Sequence, residues 1–271
     1  VSAQPSPKRG GRLRAALSAA AREHVFDSRQ DHGLFMNVAM VGTVFDTLTE
    51  IAADGTLRGE LATQWTGSSD ARSWILDLRD GVVFHDEQTF GPADVIASFD
   101  LHRETLLTDV MQVLQVGSNR IRVELTVVML RCPSSSSVSR FVTFSRASWL
   151  VDLRDGIGTG LYRVHKFQPG RQLLAHRVEM HYKDGLAGWF DEIELVALSA
   201  DAVRAEALRD HYVDVADLTH SADLDDVTNI TMLPEEHFMN TAVDHCIALP
   251  NQIGTRWPLD NLRAAERWWM A

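Results

Sequence analysis

Eleven histidines and 37 acidic residues give this sequence ample material for metal or acid–base chemistry, yet their spacing selects none. His176 and His181 are five apart, so on one strand they would point to opposite faces. His237 and His245 bracket an extended stretch with no known ligand spacing. Asp223, Asp225 and Asp226 hint at calcium, but a 12-residue loop opening at Asp223 needs Glu at position 234 and has Pro234. Gly156-Ile157-Gly158-Thr159-Gly160 looks like a phosphate loop. A strand pattern follows it, so no helix N-terminus would face an anion. No nucleophile elbow, Walker loop or H-E-x-x-H motif occurs. The reading is therefore surface or structural histidines, a solvated acidic turn, and no catalytic residue, metal or cofactor.

The bulk numbers narrow the class. The chain has 271 residues, 45% hydrophobic and 23% charged, which suits one large or two ordinary folded domains. A formal net charge of -11 repels phosphate backbones and anionic headgroups, so no nucleic-acid partner is expected. Cys132 and Cys246 are the two cysteines. They fit an oxidising or a reducing compartment, and the sequence leaves their pairing open. No run of about 18 apolar residues is present, so no transmembrane helix is expected. The start, Val1 to Lys8, is small, polar and Pro-rich. It reads as the residues after a cleavage site or as an unstructured arm.

The elements come from periodicity. Residues 1–10 are an arm. Arg12–Leu17 opens as a strand, although the Ala-rich run 15–22 also fits a helix. Residues 26–36, polar and Gly-containing, read as a loop. Val38, Val41, Phe45 and Leu48 recur at helical spacing. Asp54-Gly55 is a turn between short extended pieces. Trp74, Leu76 and Leu78 alternate along a strand, Asp80-Gly81 turns, and Val82–Phe84 makes a second short strand. Gly91-Pro92-Ala93-Asp94 opens a helix with Val95, Ile96 and Phe99 inward. Ile121, Val123 and Leu125 mark another half-buried strand. Residues 128–155, with serines at 134–137, sustain no period. Strands follow at 160–167, 171–178 and 191–198, then a helix at 201–211 with Val203, Ala207 and Leu208 inward. Residues 229–233 and 237–243 read as extended, and 258–270 as a helix start capped by Asp260 or Asn261. The whole is a mixed α/β protein without regular βαβ alternation.

A set of residues in order carries a resemblance. Leu61-Ala62-Thr63-Gln64-Trp65, then Trp74 through Asp86, then Ala93-Asp94-Val95 and Ser98-Phe99 resemble the L-A-x-x-W, L-R-x-G-V-x-F-H-D-G and A-x-D-V…S-F blocks of the extracellular solute-binding proteins of family 5, the oligopeptide- and dipeptide-binding proteins of ABC importers. Phe26-Asp27-Ser28, Gly158–Tyr162, Trp189–Ile193, Leu208–Asp214, Phe238–Thr241 and Pro258–Arg263 extend it over roughly residues 10–270. Glu87 and His211 stand where that family has Gly. Ser28 and Leu161 stand where it has Pro.

The resemblance implies a lobe of the type II periplasmic-binding-protein fold with an inserted mixed α/β subdomain. It divides the chain into lobe one at 11–45 and 156–257, the insert at 46–155, and the start of a hinge helix at 258–271, with the second lobe missing. It implies a clamp that closes on a solute and docks on a membrane permease, in the periplasm or outside the cell, with no bond made or broken. The solute would be a peptide; a nickel complex or haem is the alternative within the family, and an unrecognised hydrolase the alternative outside it. Trp65, Trp74, Leu76, Leu78 and Phe84 are expected in the insert's core, and His85 and Asp86 to hold a turn. Ligand contact is expected from Asp31, His32, Gly33, Leu34 and Phe35 after the first strand, and from Asn240. With one cleft wall absent, solute binding is expected to be weak, and exposed Trp257, Trp268 and Trp269 would offer a face for self-association.

Overall fold

The computed structural model describes residues 8–29, 33–51, 57–102, 109–126, 155–219, 230–233 and 246–250. The expectations for Asp31, His32, Asn240, the acidic turn at 223–226, the tryptophans at 257, 268 and 269, and the Cys132–Cys246 pair involve residues outside these.

The chain divides into two compact units. The first takes its described residues from 1–24, 32–39 and 164–269, and the second from 25–31 and 40–163. In chain order the elements are β1 (Arg12–Leu17), α1 (Gly33–Ala39), a π-helical turn (Met40–Val44), β2 (Thr49–Ile51), β3 (Leu57–Gly59), β4 (Ala62–Gly67), β5 (Ser73–Leu78), α2 (Pro92–His102), β6 (Val110–Gly117), β7 (Arg120–Leu125), β8 (Tyr162–Gln168), β9 (Gln172–Arg177), β10 (Glu192–Ala197), α3 (Asp201–Arg209), β11 (Val215–Leu218), β12 (Ile230–Leu233) and β13 (Cys246–Pro250).

The first unit is built on a seven-stranded mixed sheet, ordered β12-β13-β11-β1-β10-β9-β8. β1 lies in its middle, parallel to both β10 and β11. Joining β10 to β11 on the far side of β1 demands a crossover, which α3 supplies by packing on β1 and β11. The central position explains the composition of β1. Its outer half alternates charged and apolar residues, while Ala15, Ala16 and Leu17 are all buried, as a strand covered on both faces requires. Small Ala16 lets Ala205 and Leu208 of α3 close on the sheet beside Ala216 and Leu218.

The second unit holds the antiparallel sheet β4-β5-β7-β6 and the small pair β2–β3. Leu76 and Leu78 of β5 and Ile121, Val123 and Leu125 of β7 fill one face. α2 packs beside β6 and adds Val95 and Phe99 to the core.

Several expectations change. The helix expected around Val38, Val41 and Phe45 begins at Gly33, and residues 40–44 continue it as a π turn. The residues read as a loop thus contribute Phe35 and Met36, both fully buried. Val203, expected inward on α3, is 48% exposed. Arg204 is buried instead, because the helix turns the guanidinium toward strand-end carbonyls and acids. Val82–Phe84 forms a single bridge, Val83 to Thr89, closing a three-residue hairpin rather than a strand. Trp65 and Trp74 are half-buried rather than core.

Candidate functional site

Open α/β sheets bind ligands outside the carboxyl ends of their parallel strands. In the first unit that edge is where β1, β10 and β11 end, at Leu17, Ala197 and Leu218. One buried ion pair fastens it. Asp217 is fully buried and the Arg204 side chain is 1% exposed. The Arg204 Nε donates to the Asp217 carbonyl at 2.6 Å and lies 3.3 Å from its carboxylate. The other guanidinium nitrogens donate to the Leu198 carbonyl and to Asp201. The Asp217 oxygen facing Arg204 also accepts the Ser18 N–H at 2.8 Å, and the other carboxylate oxygen accepts the Ser18 hydroxyl at 2.6 Å. Asp201 also accepts the Thr219 N–H at 2.7 Å. A buried charge persists only when so fully paired. The result is that the chain leaving β1 is pinned at Ser18.

The next residue, Ala19, has φ +55°, a left-handed conformation that costs a non-glycine residue about 1 kcal/mol. Against it sits Gly33, at φ +70°. A Cβ on Gly33 would lie 2.8 Å from the Ala19 Cβ and 3.0 Å from its carbonyl oxygen. Glycine is therefore needed there for chain-to-chain approach, and the room at its Cα is taken by Ala19. Leu34 is half-buried, and Phe35 is enclosed, so its ring serves the core. The structure thus brings Gly33, Leu34 and Phe35 to the exit of β1. Sequence reasoning missed Ser18, Arg204 and Asp217; the one available signal was an acid inside the apolar run Val215–Leu218.

The signature residues in the second unit form a different arrangement. Phe84, His85, Asp86, Glu87 and Gln88 make a hairpin turn, with Glu87 N–H donating to the Phe84 carbonyl and Phe84 N–H to the Gln88 carbonyl. Glu87 occupies the left-handed position of this three-residue loop at φ +68°, where glycine is favoured. His85 is buried. Its Nδ1 accepts the Gly158 N–H at 3.4 Å, so its Nε2–H donates to the Gly160 carbonyl at 2.8 Å. Both bonds suit the neutral ring, and burial pushes its pKa below 6.5. Gly158 and Gly160 press so closely on the backbone of residues 43–44 that a Cβ on either would overlap carbonyl oxygens. Thr159 between them donates to Asp46 at 3.2 Å. The G-x-G-x-G run is thus a backbone clasp. His102 is held similarly: its Nδ1–H donates to the Ser98 carbonyl and its Nε2 accepts the Ser28 hydroxyl, each at 2.7 Å.

Among the described residues no group of three His, Cys, Asp or Glu side chains is arranged to hold a metal ion, and no helix is long and apolar enough to cross a membrane.

Comparison with known proteins places this geometry. The fold matches the binding protein AgaA of A. tumefaciens R10, solved with agropinic acid, with a TM-score of 0.73 at 22% identity over 82% of this chain and 48% of that one. It matches DppA of Helicobacter pylori, solved with the peptide STSA, at 0.69 and 18% identity over 83% and 50%. It matches a nickel ABC transporter protein of Bacillus halodurans at 0.68 and 17% over 82% and 46%. These likenesses establish the fold, and the chain spans about half the length of each. No curated protein matches the sequence. Residues 56–263 match the family described as bacterial extracellular solute-binding proteins, family 5 Middle. That span is most of the chain, and with the periplasmic-binding-protein type of sheet it shows that this chain belongs to the family 5 solute-binding proteins.

Proposed function

We propose that the chain supplies one side of a solute-capturing clamp serving an ABC permease, outside the cell or in the periplasm, and that its solute is a peptide. The observation that carries this is the family match across residues 56–263, joined to a mixed sheet whose central parallel strand ends at a pinned, strained exit. Ligand contact on this side comes from the segment Asp31 to Phe35. Leu34, half-buried, offers side-chain surface there, and Phe35 anchors the segment from within. Asn240 is the second proposed contact. A metal chelate is the second reading, because a nickel transporter protein shares the fold. No step of bond making is proposed.

Ligand pockets bury about 70–90% of a solute, and this chain spans about half the length of its structural neighbours. These 271 residues alone are therefore expected to bind peptides weakly. Calorimetric titration with di- to pentapeptides tests it. Heat that saturates only at high peptide concentration, or not at all, agrees; micromolar binding by this chain alone contradicts it.

A further inference from the structure

A row of four side chains crosses the first unit's sheet on its polar face. Arg12 of β1 is the register partner of Glu192 on β10, and Glu192 is the register partner of His176 on β9. His165 of β8 continues the row, its ring stacked on that of His176 at 4.2 Å between centroids and 14° between planes. The Glu192 carboxylate is divided: one oxygen takes the Arg12 Nε–H at 2.6 Å, and the other lies 3.3 Å from His176 Nε2. His176 is 41% exposed and His165 is exposed.

We infer that His165 and His176 form a two-imidazole site for a divalent transition ion of the copper, nickel or zinc type. Imidazole is a preferred donor for these ions. A histidine that binds metal usually gives its other ring N–H to a carboxylate, which fixes the tautomer and makes the ligating nitrogen more basic. Glu192 stands in that place for Nε2 of His176, which leaves Nδ1 as the ligating atom. Arg12 on its other side fixes the Glu192 carboxylate in place through the 2.6 Å bond. Neither nitrogen of His165 has a hydrogen-bond partner among the described residues, so its ring is available to supply the second bond. The rings lie parallel, and one must turn about its side-chain torsions to share an ion; exposure leaves room for that. Among the described residues no third side chain converges, so water completes the coordination. The site lies on the sheet's polar face and is independent of the proposed peptide contacts. The spacing between His176 and His181 gave no hint of it, because the partner of His176 lies eleven residues earlier, across the β8–β9 hairpin.

Titration of the untagged chain with Cu²⁺, Ni²⁺ and Zn²⁺ by calorimetry tests the site. Binding of at least one of these ions is expected, weakened about tenfold or more by His165→Gln and by His176→Gln, and by a similar factor in Glu192→Gln. His181→Gln serves as a control and is expected to bind like the parent. His165 is exposed and His176 and Glu192 are half-buried, so the variants are expected to keep the parent's circular dichroism, and a variant that loses it is replaced by the Asn substitution at the same position. Absence of binding to all three ions overturns the inference, as does binding that survives the combined His165→Gln/His176→Gln change, which would place the ion on other histidines.

Discussion

The two units fasten their key loops by opposite means. At the carboxyl end of β1 the first unit uses charge: Arg204 and Asp217, both buried, tie four segments through carbonyls, a hydroxyl and a second acid. Around the G-T-G run the second unit uses a neutral ring and bare backbone: His85 bridges Gly158 and Gly160, and the missing Cβ atoms let two chain segments touch. A charged knot is intolerant of losing one member, because the remaining charge is stranded. A neutral clasp is intolerant of added volume and of a proton.

Breaking the knot gives the largest expected effect. Arg204→Met leaves Asp217 buried without its cation and is expected to cost about 3–5 kcal/mol in urea unfolding. Adding Asp217→Leu removes the stranded charge and is expected to recover much of that loss, which sharpens the distinction between pairing and packing. For the clasp, His85→Leu strands a buried carbonyl and an N–H and is expected to cost about 2–3 kcal/mol. Gly158→Ala forces a methyl group onto the Val44 carbonyl and is expected to cost about 1–3 kcal/mol.

Acid separates the effects further. His85 and His102 are both held below their unfolded value of 6.5, chiefly by burial. The unfolded chain therefore takes up these protons first. Their contribution is complete above about pH 6.5 and is lost as the pH falls from there toward the folded values. Carboxylates such as Glu192, held low by Arg12, add a second loss below their unfolded value of 4.5. A denaturation series across pH 4 to 8 is expected to show decline beginning near pH 6.5, and His85→Leu to flatten that first phase.

The smallest effects are gains. His211 follows α3 at φ +60°, and the Tyr212 and His211 N–H groups donate to the Ala207 and Leu208 carbonyls. That is the glycine-ended helix stop with histidine in the glycine place. His211→Gly and Glu87→Gly are each expected to stabilise by about 0.5–1 kcal/mol, since relief of left-handed strain exceeds the entropy that glycine adds. Both are read from shifts in melting temperature.

Those two positions also show what the sequence made legible. Glu87 and His211 stood out as replacements for family glycines, and both carry the positive φ that the glycine would have. Alternating strands such as Ile121-Val123-Leu125 were readable because one face is buried. α1 was not, because its polar, glycine-containing start resembles a loop until Ala19 is seen packing on Gly33. β4 and β6 escaped notice because they lie at the sheet's edges, where partial exposure blurs alternation. The knot was illegible for a different reason: Ser18, Arg204 and Asp217 lie far apart in sequence, and only the β10–α3–β11 crossover brings them together. Of the proposed ligand residues, Gly33, Leu34 and Phe35 lie where the parallel strand ends, while Asp31, His32 and Asn240 are outside the described residues.

The central claim is that this chain meets its solute at the exit of β1. Nuclear magnetic resonance titration of the isotope-labelled chain with short peptides addresses it directly, because weak binding still moves amide resonances. The account predicts fast-exchange shifts concentrated at residues 31–35 and at Asn240, reduced when Gly33 is changed to Val. Shifts confined to the four-stranded sheet of the second unit, or no shifts at the highest soluble peptide concentration, would contradict it.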